Sequence, residues 1–229
     1  MRICLVVDVE HALKTLDFLN GLEDFEEHRL IGAGFGALIL AMVKAHGSLA
    51  RARRHVIKEK EKLHEYFSMR ETFTLEGVVK SILATLMKRV ATKSASKLRE
   101  HVKEVLKGVP VEGINVLVFD ILAGEEKELT TNEENAFDVL AAALSFPPVY
   151  EPVKIEDSLY CNLTYMTGVP KSTSCDLLAL GVCEEEDDTP KTAVSIMERA
   201  DKLRTSAIMK KRLILHEKVV KLDSSKMKL

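Results

Sequence analysis

Two short stretches of the sequence gather residues able to do chemistry. Gly32-Ala33-Gly34-Phe35-Gly36 lies between an apolar strand-like run and an apolar helix-like run. Glycines so placed let a chain turn tightly and bring its backbone N–H groups close to a ligand. The amino end of the helix that follows favours negative charge. A carboxylate or phosphate is therefore the ligand such a turn accepts; the alternative is that Phe35 and its neighbours fill the space themselves. The second stretch holds Asp8, Glu10 and His11, with His28 further along. Their spacing matches no metal site, so neither a metal nor a cofactor is expected. Cys4, Cys161, Cys175 and Cys183 match no zinc pattern either, and a chain of 229 residues needs no disulfide staples. They are read as reduced thiols.

The elements that would position these residues alternate between strand and helix, which points to an α/β fold with a mostly parallel sheet. Arg2–Val7 is a buried first strand. Leu13, Leu16, Leu19 and Leu22 recur at helical spacing. Arg29–Ile31 reads as a very short second strand, the glycines at 32–36 as a turn, and Ala37–Ala45 as a buried helix stopped by His46-Gly47-Ser48. Residues 49–107 read as mostly helical and highly charged, an insertion or cap within one domain spanning 1–229. Ile114–Asp120 is a strong buried strand, Gly124-Glu125-Glu126 a turn, and Glu128–Thr130 the start of an antiparallel return. Asn135–Leu144 is a helix ending before Pro147-Pro148. Val153–Ile155 and Leu159–Asn162 pair around Asp157, Leu177–Val182 is another buried strand, Ala193–Arg212 an amphipathic helix, and Leu213–Leu222 ends in an edge strand.

Composition narrows the function classes. Hydrophobic residues are 46% and charged residues 30% of the chain, the balance of a folded globular protein. A formal net charge of -2 argues against a dedicated nucleic-acid binder. The first apolar run meets Asp8 too soon for a secretory leader, and Ala37–Val43 is far short of the roughly 20 residues that span a bilayer; a cytoplasmic location is expected. The basic stretch Arg51-Ala52-Arg53-Arg54 with Lys58, Lys60 and Lys62 is interleaved with Glu59 and Glu61, as on a solvated helix face rather than a lipid contact. Glu184–Asp188 reads as a solvated acidic loop. Phe67, Met69, Phe73 and Leu75 read as closing a small helical subcore, with a mobile apolar cap as the alternative.

In order along the chain, several segments resemble the patatin-like lipid acyl hydrolases. GAGFGAL at 32–38 stands where that family carries its G-x-S-x-G nucleophile elbow. FDILAGEE at 119–126 resembles a strand and turn ending in T-G-E-E. AAALSFPPVY at 141–150, followed by Glu151-Pro152-Val153, resembles R-A-S-x-S-I-P-x-x-F-x-P-V. SLYCN at 158–162, followed by Gly168-Val169-Pro170, resembles the run that carries the catalytic aspartate and continues into N-x-V-P. Cys175–Val182, with Asp176, and Met197–Leu222 match the closing strands and helix. The resemblance covers nearly the whole chain and implies a three-layer α/β fold with a central mostly parallel sheet flanked by helices.

The same resemblance implies that the hydrolytic chemistry is absent. Gly34 falls at the serine position and has no side chain to attack an ester. Asn162 falls at the aspartate position, and an amide takes up no proton near neutral pH. The oxyanion loop should follow the first strand, but Val7-Asp8-Val9-Glu10-His11 has no glycine, and β-branched residues resist φ > 0. His11 holds the place of a basic residue that follows those glycines. Losing a nucleophile or base of this kind costs on the order of 10⁴–10⁶ in turnover. The expectation is an inactive binding or regulatory module, possible as a homodimer, whose ligand is a lipid, a fatty acid or a small anion held by Gly32, Gly34, Phe35, Gly36, His11 and Asn162. The alternative is an acyl hydrolase with a displaced nucleophile at Ser48, Thr164 or Cys161. If Asn162 faces the site, Cys161, its strand neighbour, faces the core. Ser145 stands at a family serine read as structural.

Overall fold

Alternation along the first strand divides the molecule into two cores. Ile3, Leu5 and Val7 enter one apolar cluster and Cys4 and Val6 another, because successive strand side chains point to opposite faces. The computed structural model describes residues 1–67, 93–147, 149–181 and 193–222. Among these the strands are β1 (Arg2–Val7), β2 (Arg29–Gly34), β3 (Asn115–Asp120), β4 (Glu125–Thr130), β5 (Val153–Ile155), β6 (Ser158–Asn162), β7 (Leu177–Gly181) and β8 (Val219–Lys221). The helices are α1 (Ala12–Asn20), α2 (Phe35–His46), α3 (Leu49–Lys58), α4 (Lys60–Phe67), α5 (Ala95–Val105), α6 (Ala136–Leu144), α7 (Leu163–Thr167) and α8 (Ala193–Leu213).

The strands form one sheet in the order β5-β6-β3-β2-β1-β7-β8, with β4 on β3. β1, β2, β3, β7 and β8 run parallel, and β4, β5 and β6 add antiparallel pairings. The larger core lies between the sheet and helices α1 to α6, and includes Leu38, Met42, Leu63, Leu98, Val102 and Leu140. The smaller one lies on the other face, where Leu163 and Val169 meet Ile31, Leu117 and Leu178, and Met209 and Leu213 of α8 close over them. This is a three-layer α/β arrangement with a central mostly parallel sheet flanked by helices. Three helices of the 49–107 stretch send Ala52, Val56, Leu63, Leu98, Val102 and Val105 into the first core.

Three boundaries differ from expectation. β2 continues through Gly34 and α2 starts at Phe35, so the turn expected over 32–36 narrows to the junction at Gly34: Leu5, Val6 and Val7 pair with Gly32, Ala33 and Gly34, and Gly36 already lies in the helix. The glycines serve packing. A Cβ on Gly32 would lie 2.3 Å from the Ala37 Cα, and one on Gly36 would lie 2.3 Å from the Leu5 carbonyl oxygen. Second, α7 follows β6 directly, a short helix whose signal was the cap Asn162 two residues before Thr164. Third, β4 starts at Glu125, inside the turn expected at 124–126 and three residues before the return expected at Glu128. Gly47, with φ 68°, ends α2 as expected, and Ser48 caps α3. Glu184–Asp188, Cys183, Met69, Phe73 and Leu75 lie outside the described residues.

Candidate functional site

A fork in the sheet assembles the site. β4 occupies one edge of β3 along its whole length. The other edge is shared: β2 pairs with Asn115, Val116 and Leu117, then β6 takes over at Val118, Phe119 and Asp120. The carboxyl end of β2 and the carboxyl end of β6 therefore meet head-on beside β3. Ala33 lies opposite Leu117 and Asn162 lies opposite Val118, so Gly34 and Asn162, 128 positions apart in sequence by subtraction of their numbers, become neighbours.

Gly34 makes the strand-to-helix corner with φ 58° and ψ -134°. That conformation is rarely open to residues with side chains, and it marks elbows that thrust one residue toward a ligand. Glycine bears this corner without strain. A Cβ placed there would lie 3.1 Å from the Val7 carbonyl oxygen, 3.6 Å from the Asn162 Nδ2 and 3.6 Å from the Thr164 Cγ2. A side chain on this corner would thus point at Asn162. The amino end of α2 receives no side-chain cap from Gly34, which leaves the first amides of the helix without that partner.

Asn162 is 2% exposed and divides its amide between two tasks. Its Oδ1 accepts from the Thr164 backbone N–H at 2.8 Å and from the Thr164 hydroxyl at 2.7 Å, capping α7. Its backbone N–H donates to the Ser145 carbonyl at 2.8 Å. Nδ2 is the end turned toward Gly34. Ser145 is buried and its hydroxyl donates to the Glu151 carbonyl at 2.9 Å, a clip that holds the chain after α6 against β6.

The segment after β1 is closed. The Asp8 N–H donates to the Gly181 carbonyl at 2.9 Å, its carboxylate caps the short 3-10 turn Val9–His11, and Oδ1 lies 2.6 Å from His11 Nδ1. His11 is buried and packs so tightly on β7 that a Cβ at Gly181 would lie 2.8 Å from its own. The imidazole is therefore engaged with Asp8 and β7. Among the described residues no cluster of three His, Cys, Asp or Glu side chains is arranged to hold a metal ion.

Between these parts lies a cavity of about 30 Å³, lined by Val7, Phe35, Phe67, Leu144, Tyr150 and Asn162 among others. Phe35 is 3% exposed and meets Phe67 with ring centroids 5.8 Å apart. The Tyr150 hydroxyl donates to the Tyr66 carbonyl at 3.2 Å, fastening the end of α4 over the corner. Tyr66 and Tyr150 carried no sequence signal for this position, since their segments are 84 residues apart. The alternative nucleophiles are occupied otherwise. Ser48 accepts from the Arg51 N–H as a helix cap. Burial pushes the Cys161 thiol up to about 12, so it stays protonated. Only Thr164 borders the corner, and its hydroxyl donates to Asn162.

No family model and no curated protein matches the sequence. Among solved structures, the crystal structure of VipD from Legionella pneumophila aligns with a TM-score of 0.44 at 11% identity, over 87% of this chain and 52% of that one. This chain thus spans about half the length of VipD. Among the described residues, no helix is long and apolar enough to cross a membrane.

Proposed function

We propose that this chain is a patatin-like domain that binds instead of hydrolysing, with a small anionic group as its ligand. The observation that carries the reading is the corner at Gly34: φ 58° and ψ -134°, aimed at a buried Asn162. The position holds the geometry of a nucleophile elbow without a nucleophile, opposite an amide in place of a base. The first backbone N–H groups of α2 and the Asn162 Nδ2 offer donors only, the complement of a carboxylate or phosphate oxygen. The cavity of about 30 Å³ suits a headgroup-sized oxygen atom or a water. A whole acyl chain needs a pocket of roughly 300 Å³ or more, so the anion is favoured over a buried lipid tail. The helices of 49–107 belong to the same domain in this reading, since they share the first core.

The test has two arms. Purified protein hydrolyses short-chain nitrophenyl esters at the background rate, and a rate well above it that disappears on changing Thr164 to Val would overturn the inactive reading. Titration with acetate or inorganic phosphate shifts the NMR amide resonances of Phe35 and Gly36; resonances that stay fixed at saturating anion rule out the binding site.

A further inference from the structure

The second core contains a group of side chains that an apolar filling does not require. Cys4 on β1, Cys175 just before β7 and His216 just after α8 converge there, at 0%, 5% and 9% exposure. The Cys175 Sγ lies 4.0 Å from His216 Nδ1. His216 Nε2 lies 3.1 Å from the Pro170 carbonyl oxygen. A carbonyl only accepts, so Nε2 carries the proton and Nδ1 turns its lone pair toward the thiol. This is the relation of a nucleophile to a base held in place by a third group. Both thiols are free in the structure. Cys4 and Cys175 lie in the same buried cluster. The neighbouring Cys4 side chain and, more weakly, the Arg2 guanidinium pull the Cys175 thiol below the ordinary range, while Cys4 is pushed far above it. Arg2 is itself anchored beside Cys175, by its guanidinium to the Thr173 carbonyl at 3.0 Å and to Asp176 at 3.1 Å.

We propose that Cys175, His216 and Cys4 form a peroxide-responsive thiol site, with Cys175 as the attacking sulfur, His216 as its proton acceptor and Cys4 as the thiol that closes a reversible disulfide. His216 Nδ1 takes the proton from Cys175. The thiolate attacks one oxygen of hydrogen peroxide, the O–O bond breaks, and the departing hydroxide takes the proton back from His216 and leaves as water. Cys175 is then a sulfenic acid. The Cys4 sulfur attacks the Cys175 sulfur, the S–O bond breaks and a second water leaves. Two thiols and one peroxide thus give one disulfide and two waters. The bond would tie β1 to the segment that leads into β7. Peroxide is the fitting oxidant because a cysteine that is only 5% exposed admits only a very small molecule.

Full-length protein is treated with hydrogen peroxide, alkylated, digested without reductant and mapped by mass spectrometry. The expected product is a Cys4–Cys175 cross-linked peptide pair that dithiothreitol reverses. Cys4→Ser leaves a Cys175 sulfenic acid that dimedone captures. His216→Asn, checked for an unchanged circular dichroism spectrum, slows cross-linking about tenfold or more and removes its dependence on pH near neutrality. Wild-type protein in which Cys175 resists peroxide, is driven to sulfinic acid without a cross-link, or pairs with Cys161 or Cys183 would overturn the proposal. A folded His216→Asn protein that cross-links at the wild-type rate would overturn the role of the imidazole. Should His216→Asn fail to fold, the wild-type peptide map decides the matter alone.

Discussion

Gly34 and Asn162 each perform a structural task. Gly34 carries a corner that a side chain would strain by roughly 1–3 kcal/mol, and Asn162 caps α7 through Oδ1. Asparagine and aspartate are near-equal caps, whereas alanine is none. Asn162→Ala therefore destabilises the fold by about 1 kcal/mol for the cap, and Asn162→Asp loses less. Urea unfolding of the two variants beside the wild type measures the difference; equal losses would mean that the cap contributes nothing. Cys161, one residue earlier, is 0% exposed. Its burial follows from strand alternation and was legible from the sequence once Asn162 was placed toward the site.

At the scale of elements, the junction of β2 and α2 sets the spacing of the layers. Alanine is a better helix former than glycine by about 1 kcal/mol. At Gly36 that gain is outweighed, because a Cβ would stand 2.3 Å from the Leu5 carbonyl oxygen of β1, a backbone atom that cannot swing away. Gly36→Ala is expected to destabilise by about 2–3 kcal/mol in total, read as a lower melting temperature and urea midpoint. The hairpin between β3 and β4 gives a second test. Asp120 accepts from the Ala123 N–H at 3.1 Å, the Leu122 N–H at 3.0 Å and the Ser158 hydroxyl at 2.9 Å. These donors, the Ala123 N–H foremost, hold its carboxyl below the ordinary 3.8 despite the opposing cost of burial. A depressed carboxylate stabilises the fold at any pH above that ordinary value, and the contribution fades as pH falls through the lower folded value. Asp120→Asn is thus less stable than wild type at neutral pH, and the gap narrows in acid. Urea midpoints measured from neutral pH downward would show it; a gap that widens in acid contradicts the assignment.

For the whole molecule, the central position of β1 determines where stability resides. β1 lies between β2 and β7 and is buried on both faces, with Ile3, Cys4, Leu5 and Val6 all at 0% exposure. β8 lies at the sheet edge with all three residues exposed, and β5 at the opposite end has only three residues. Local opening draws on such edges first. Amide hydrogen exchange is expected to be slowest in β1, β2 and β7 and fastest in β8 and β5. Protection in β8 equal to that of β1 would show that its edge is covered in solution.

The sequence by itself determined the α/β class, the parallel core strands, the antiparallel return after Asp120 and the glycine pattern at 32–36, because period-two burial and glycine placement are local properties of the chain. The resemblance read from it singled out Gly34 and Asn162. The sequence spread the turn over 32–36, whereas the bend falls on Gly34 and the glycines at 32 and 36 serve close approach, since a missing side chain looks the same in both tasks. Tertiary structure alone decided that Gly34 faces Asn162, that His11 is spent on Asp8, and that Tyr66 and Tyr150 close over the corner. These facts depend on β3 exchanging β2 for β6 halfway along one edge, and no local pattern in the chain encodes which strand continues beside another.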